Sequence, residues 1–171
     1  MTPDDMAIRW QTQKRYGSCQ LVAATNAALY LGTIKRRPGH GQQWERLVDL
    51  TLCHAGSCLD VRSAHRYLGI EEIEIPRHLD AVRRHVRQGR PVETAVWLPW
   101  AGFHAILVLD YKPPTRKRGG LYAVLNYYKQ QDGLTWISAK ELGGAMLHIT
   151  KGKGKMVRGY CYFKPWSTPN G

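Results

Sequence analysis

Gly17-Ser18-Cys19-Gln20-Leu21-Val22-Ala23-Ala24-Thr25-Asn26-Ala27-Ala28-Leu29-Tyr30-Leu31-Gly32 is the stretch that decides how the chain is read. Leu21, Ala24, Ala28 and Leu31 are spaced by three, four and three residues, so they share one face of a helix. Gly32 ends it. Cys19 falls in the first turn, where backbone N–H groups lack partners and the helix dipole favours negative charge. A thiol in that place is biased toward thiolate, the nucleophilic form of cysteine. Taken alone, a cysteine at a helix start reads as a small buried residue; a base elsewhere in the chain is needed to make it a reagent.

Outward from this helix, the first half of the chain reads as helical. A second helix is expected over Gln43 to Leu52, with Trp44, Leu47, Val48 and Thr51 on one side. A third runs from about Leu59 to Leu68, capped by Gly69. A fourth spans Leu79 to Gln88, with Leu79, Val82 and Val86 inward and arginines outward, ended by Gly89 and Pro91. The second half reads as strands at Val92 to Leu98, His104 to Tyr111, Leu121 to Tyr127, Met146 to Thr150 and Gly159 to Phe163. Helices followed by strands predict an α+β fold, a helical half (about 1–90) packed on an antiparallel sheet (about 91–164). A single domain over 1–171 with a flexible tail at 165–171 is expected.

At 171 residues and 43% hydrophobic, the chain can bury a real core, and the composition argues against disorder. No apolar run reaches the roughly 20 residues of a membrane span. Met1-Thr2-Pro3-Asp4-Asp5 is acidic and lacks a signal-peptide pattern, so a soluble, cytoplasmic protein is expected. The net charge is +12, from 25 basic and 13 acidic residues. Basic residues cluster at Lys35-Arg36-Arg37, along Arg77 to Arg90, at Arg116-Lys117-Arg118, and at Lys151, Lys153, Lys155 and Arg158. Such a surface attracts nucleic acid or an acidic protein without naming either. Four cysteines are too few for a disulfide framework in a chain of this size. Cys53 and Cys58, with His40 or His65, invite a zinc reading, but a structural site wants four ligands and only one pair is visible. A turn between helices is the expectation, with no metal or cofactor.

The base is His104, in Gly102-Phe103-His104-Ala105-Ile106-Leu107-Val108. Cys19 at a helix start followed by His104 at a strand start resembles the papain-like cysteine peptidases, including the small viral leader and bacteriocin-processing types. Gln13 precedes Cys19 by six positions, as that family's oxyanion-hole glutamine precedes its nucleophile. Gly17-Ser18-Cys19 is similar to the family's small-residue approach to the cysteine. Leu47-Val48-Asp49, then Cys53 to Cys58, then Ala64 to Tyr67, looks like its second and third helices and the turn between them. Asn126 closes the following strand where the family's orienting residue belongs. The resemblance covers roughly residues 8 to 150. Gln20 departs from it, standing where many relatives carry Trp.

The resemblance implies an α+β papain-like fold and peptide-bond cleavage through a thioester. Cys19 would attack the carbonyl while His104 accepts its proton as the base, the thiolate–imidazolium pair being stabilised by the helix dipole. Asn126 would fix the imidazole through its side-chain carbonyl. Asp110 competes for that role but lies six residues along the same strand, roughly 20 Å away at about 3.3 Å per residue; Asp132 is a second choice. The oxyanion donors would be the Cys19 N–H and the Gln13 amide, with Gln11 as the alternative. The substrate would be a polypeptide, and Gly171 fits self-release from a precursor as in viral leader proteases. Trp97 and Trp100, just before His104, could line a cleft but more often serve as packing. Other acyl transfers fit the same constellation: deamidation, transglutamination or removal of a ubiquitin-like modifier. A catalytically idle module binding nucleic acid or an acidic protein is the reading from a different class.

Overall fold

The computed structural model describes residues 19–34, 61–127, 134–147 and 159–165. In chain order the elements are α1 (Cys19–Leu31), α2 (Val61–Leu68), β1 (Glu71–Ile75), α3 (Leu79–Val86), β2 (Val92–Leu98), β3 (Gly102–Lys112), β4 (Leu121–Leu125), β5 (Leu134–Ser138), α4 (Ala139–Leu147) and β6 (Gly159–Phe163). The six strands form one sheet in the order β1-β6-β2-β3-β4-β5, and every neighbouring pair is antiparallel. The α+β class is therefore observed. The expected helix over Gln43 to Leu52 and the Cys53–Cys58 turn lie outside the described residues.

Helices cover both faces of the sheet, rather than one helical half covering one face. The side-chain period of two sends alternate residues of β3 to opposite sides. Leu107 and Leu109 pack with Ala23, Ala24, Ala27 and Ala28 of α1, beside Leu68, Leu125 and Tyr162. Ile106 and Val108 pack with Val82 and Val86 of α3 and Leu142, Ala145 and Met146 of α4. Every residue of α1 from Leu21 to Leu29 is buried. Its alanines let the helix lie close on the strands, and Gly32, at a φ of 70°, closes it. Gly32 N–H donates to the Leu29 carbonyl and Thr33 N–H to that of Ala28, the paired bonds of a left-handed helix end.

Three elements depart from expectation. β1 lies within the half expected to be helical. It pairs with β6 from Glu71–Phe163 to Ile75–Gly159 and carries glutamates on the sheet edge, where charge discourages further strand addition. Leu134–Ser138 forms β5 on the opposite edge. Met146 belongs to the last turn of α4, not to a strand. Ser138 starts that helix by accepting from the Glu141 N–H at 3.1 Å. A register shift in β3 between Val108 and Asp110 turns Tyr111 onto the α3/α4 side, where its ring packs at a tilt against Tyr122, 4.9 Å between centroids.

Candidate active site

β4 stops pairing with β3 at Leu107–Leu125, while β2 continues beside β3 down to the hairpin pair Leu98–Gly102. Residues 102–106 of β3 therefore have a strand on one side only. The Ala105 N–H lies near enough to the Cys19 sulfur to favour its thiolate. The first turn of α1 thus meets β3 at the edge that β4 leaves open, one residue beyond His104.

His104 shares the sheet face of Ile106 and Val108 by alternation, yet its ring leans over the same open edge. Its Nε2 lies 2.8 Å from the main-chain carbonyl oxygen of Asn126, just past the end of β4. A carbonyl can only accept, so Nε2 carries the hydrogen and Nδ1 holds the free lone pair of the neutral ring. The ring is 4% exposed and packs against Trp100 at 5.1 Å between centroids. Asn126 has a φ of 63°, a left-handed conformation that asparagine tolerates better than most residues. The main-chain carbonyl thus makes the ring contact that was expected of the Asn126 side chain.

Both candidate reagents favour their neutral forms. Burial pushes the Cys19 thiol up, and a nearby carboxyl, Glu93, pushes in the same direction. The Ala105, Gln20 and Cys19 N–H groups pull it down, but less than burial raises it. The helix start does favour thiolate as expected; desolvation outweighs it, so the thiolate bias is corrected to a neutral thiol. Burial also lowers the His104 imidazole, opposed by its bond to the Asn126 carbonyl.

Three aromatic side chains rim this corner. Trp97 and Phe103, directly opposite in the hairpin, meet edge to face at 5.1 Å. They are 42% and 56% exposed, and Trp100 in the turn is 41% exposed, so the two tryptophans are rim rather than core. Asp110 lies at the far end of β3, where its carboxylate accepts from the Tyr111 N–H; burial, and then the Asp110 charge, push the Tyr30 hydroxyl of α1 up. The structure thus joins His104 to Asn126, brings Cys19 near Ala105, the residue next to His104, and leaves Asp110 at the far end of the strand. Gln13, Gln11, Asp132, Cys53, Cys58 and His40 lie outside the described residues.

The sequence reading missed a buried polar chain on the α1 side of the sheet. Glu93 of β2, 4% exposed, accepts a hydrogen bond from the Tyr162 hydroxyl of β6. That hydroxyl lies 3.4 Å from Nε2 of His65 in α2, whose Nδ1 is 2.8 Å from a Glu72 carboxylate oxygen of β1. His65, weighed above as a zinc ligand, spends both ring nitrogens here. The available signal was a carboxylate inside Val92-Glu93-Thr94-Ala95-Val96, a run otherwise suited to a buried strand.

Comparison with protein-family models, with curated proteins and with solved structures finds no match for the chain.

Proposed function

We propose that the protein is a cysteine peptidase of papain-like type, with Cys19 as nucleophile and His104 as base. The observation that carries this reading is the meeting of the Cys19 thiol with the Ala105 amide, one residue from an imidazole whose Nε2 is held by Asn126. The free Nδ1 lone pair is the one available to take the thiol proton. Because burial favours thiol over thiolate and imidazole over imidazolium, the resting pair is neutral. The proton then moves to His104 as the sulfur attacks the substrate carbonyl. A tetrahedral intermediate forms, His104 returns the proton to the leaving amine, and a thioester remains for water to hydrolyse.

The Gln20 and Cys19 N–H groups of the first turn of α1 favour negative charge at the sulfur, and the Cys19 N–H is proposed as one oxyanion donor. Gln13, six residues earlier in the chain, is proposed as the second. Trp97, Trp100 and Phe103 offer apolar surface for a substrate side chain beside the nucleophile. The substrate is a polypeptide.

Iodoacetamide and an epoxysuccinyl inhibitor test the nucleophile. Cys161 is fully buried and its thiol is pushed up to about 11, so it reacts slowly. Cys19 should be modified at least ten-fold faster at neutral pH, and His104→Ala should remove most of that advantage. Equal rates at the two cysteines would contradict the assignment.

The exposed hairpin between β3 and β4 favours a second reading. Arg116, Lys117 and Arg118 sit at its tip, closed by a Thr115–Arg118 bridge, and all are exposed. As a binding module, the protein would hold nucleic acid or an acidic protein there. Reversing these three charges should then flatten the salt dependence of nucleic-acid binding by up to about 3 in log–log slope, and Cys19→Ala should leave it unchanged.

A further inference from the structure

Glu93 is a carboxyl with no aqueous surroundings and, among the described residues, no cation against it. Its position relative to the candidate nucleophile follows from the register. Ala95, two residues on, stands opposite Ala105, whose N–H meets the Cys19 sulfur. Glu93 and Ala95 share the α1 face, roughly 7 Å apart along the strand. Glu93 thus lies behind Cys19, within the same buried layer.

The groups facing it come from four elements. Cys19 faces it from α1, His65 from α2, Glu72 from β1, and Tyr162 from β6, with Tyr160 opposite it in the strand register. From β3 its partner is Leu107, which does not titrate. Tyr162, His65 and Glu72 form a chain leading from Glu93 toward the part-exposed Glu72 carboxyl.

This chain has two consistent arrangements of hydrogen. With Glu93 protonated, its O–H donates to the Tyr162 oxygen, the Tyr162 O–H donates to His65 Nε2, and His65 Nδ1–H donates to Glu72. With Glu93 ionised, the Tyr162 O–H turns to donate to the carboxylate, the bond seen in the structure. One proton has then left for solvent, and His65 stays neutral in both arrangements. Burial keeps the His65 imidazole below its ordinary value, which suits that role.

We propose that Glu93 is a positioning residue whose proton controls Cys19: protonated, it leaves the thiol free to be activated, and ionised, it places a negative charge behind the sulfur and holds it as thiol. The site would then gain reactivity less steeply above the Glu93 titration than an isolated cysteine, whose rate climbs until its own thiol has ionised. The proposal rests on Cys19 being the reactive group, as argued above.

The test is alkylation of Cys19 in the full chain by iodoacetamide from pH 6 to pH 10, read by mass spectrometry of the Cys19 peptide. No substrate is involved, so a failure of the peptidase reading itself would appear in cleavage assays and not here. Burial pushes the Glu93 carboxyl up to about 8, so the wild-type rate should bend there. Glu93→Gln, which keeps the shape and removes the charge, should match wild type within about two-fold at pH 6 and react about ten-fold faster at pH 9. Tyr162→Phe removes a hydrogen bond that lowers Glu93, so it should move the bend to higher pH. Superimposable profiles for wild type and Glu93→Gln would overturn the proposal. If Glu93→Gln does not fold, carbon-13 NMR of the wild-type glutamate carboxyls decides. A carboxyl titrating together with the bend supports the proposal, and a wild-type profile with no bend overturns it.

Discussion

Asn126 holds His104 through its main-chain carbonyl while its backbone sits at a φ of 63°. The contact therefore depends on a left-handed residue at that position. Glycine adopts this conformation freely, whereas alanine pays roughly 1–2 kcal/mol for it. Asn126→Ala should lower the melting temperature by about 2–8 °C more than Asn126→Gly does, measured by circular dichroism. The reverse order would show that the backbone conformation is not the limiting feature. The sequence showed which residues could converge: a cysteine at a helix start, a histidine opening a strand and an asparagine closing the next. The atom Asn126 uses toward the ring was not legible, because side-chain and main-chain carbonyls are equivalent acceptors until the φ angle is known. The neutral state of Cys19 was hidden for a similar reason. A dipole can be read from local sequence, but desolvation depends on what the fold lays over the sulfur.

α1 carries the site because it is thin. Ala23, Ala24, Ala27 and Ala28 bring it close to Leu107 and Leu109, so its first turn reaches the Ala105 amide. Ala24→Leu adds volume in a fully buried layer and should cost about 1–3 kcal/mol. It should also slow alkylation of Cys19 by moving the helix start away from β3; unchanged denaturation midpoint and rate would contradict this packing account. The elements differed in legibility for physical reasons. β2 and β6 match their expected bounds at Val92–Leu98 and Gly159–Phe163, because buried β-branched and aromatic runs announce themselves. β1 was missed because three of its five residues are glutamates, tolerated only on an edge. α4 was missed because Gly143 and Gly144 are poor helix formers and Met146-Leu147 looked like a strand start. Burial of Leu142, Ala145 and Met146 overrides that weakness, and Ser138 with Glu141 was the capping signal that could have found it.

Two buried polar sites stand out among the described residues: the His104 ring at the open end of β3, against Trp100 and the Asn126 carbonyl, and the Glu93 chain beneath α1. The second has a consequence for stability. The Glu93 carboxyl rises from 4.5 to about 8 on folding, so between those pH values the native state binds more protons than the unfolded chain. Stability is therefore greatest below that window and falls as pH rises through it. Urea midpoints of wild type should decline from pH 5 to pH 8.5, and those of Glu93→Gln should decline less; parallel slopes would contradict the buried carboxyl. His104 acts at the other end of the scale. Its lowered imidazole leaves the native state with fewer protons near pH 6, so acidification below its ordinary range removes stability. Among the described residues no helix is long and apolar enough to cross a membrane.

The claim on which the account turns is that Cys19 breaks peptide bonds. The most direct measurement is mass-spectrometric profiling of a diverse peptide mixture incubated with wild type and with Cys19→Ala. The account predicts new termini with wild type, enriched in apolar side chains near the cut, and none with Cys19→Ala. The same termini from both proteins, or none from wild type at any pH between 5 and 9, would contradict it.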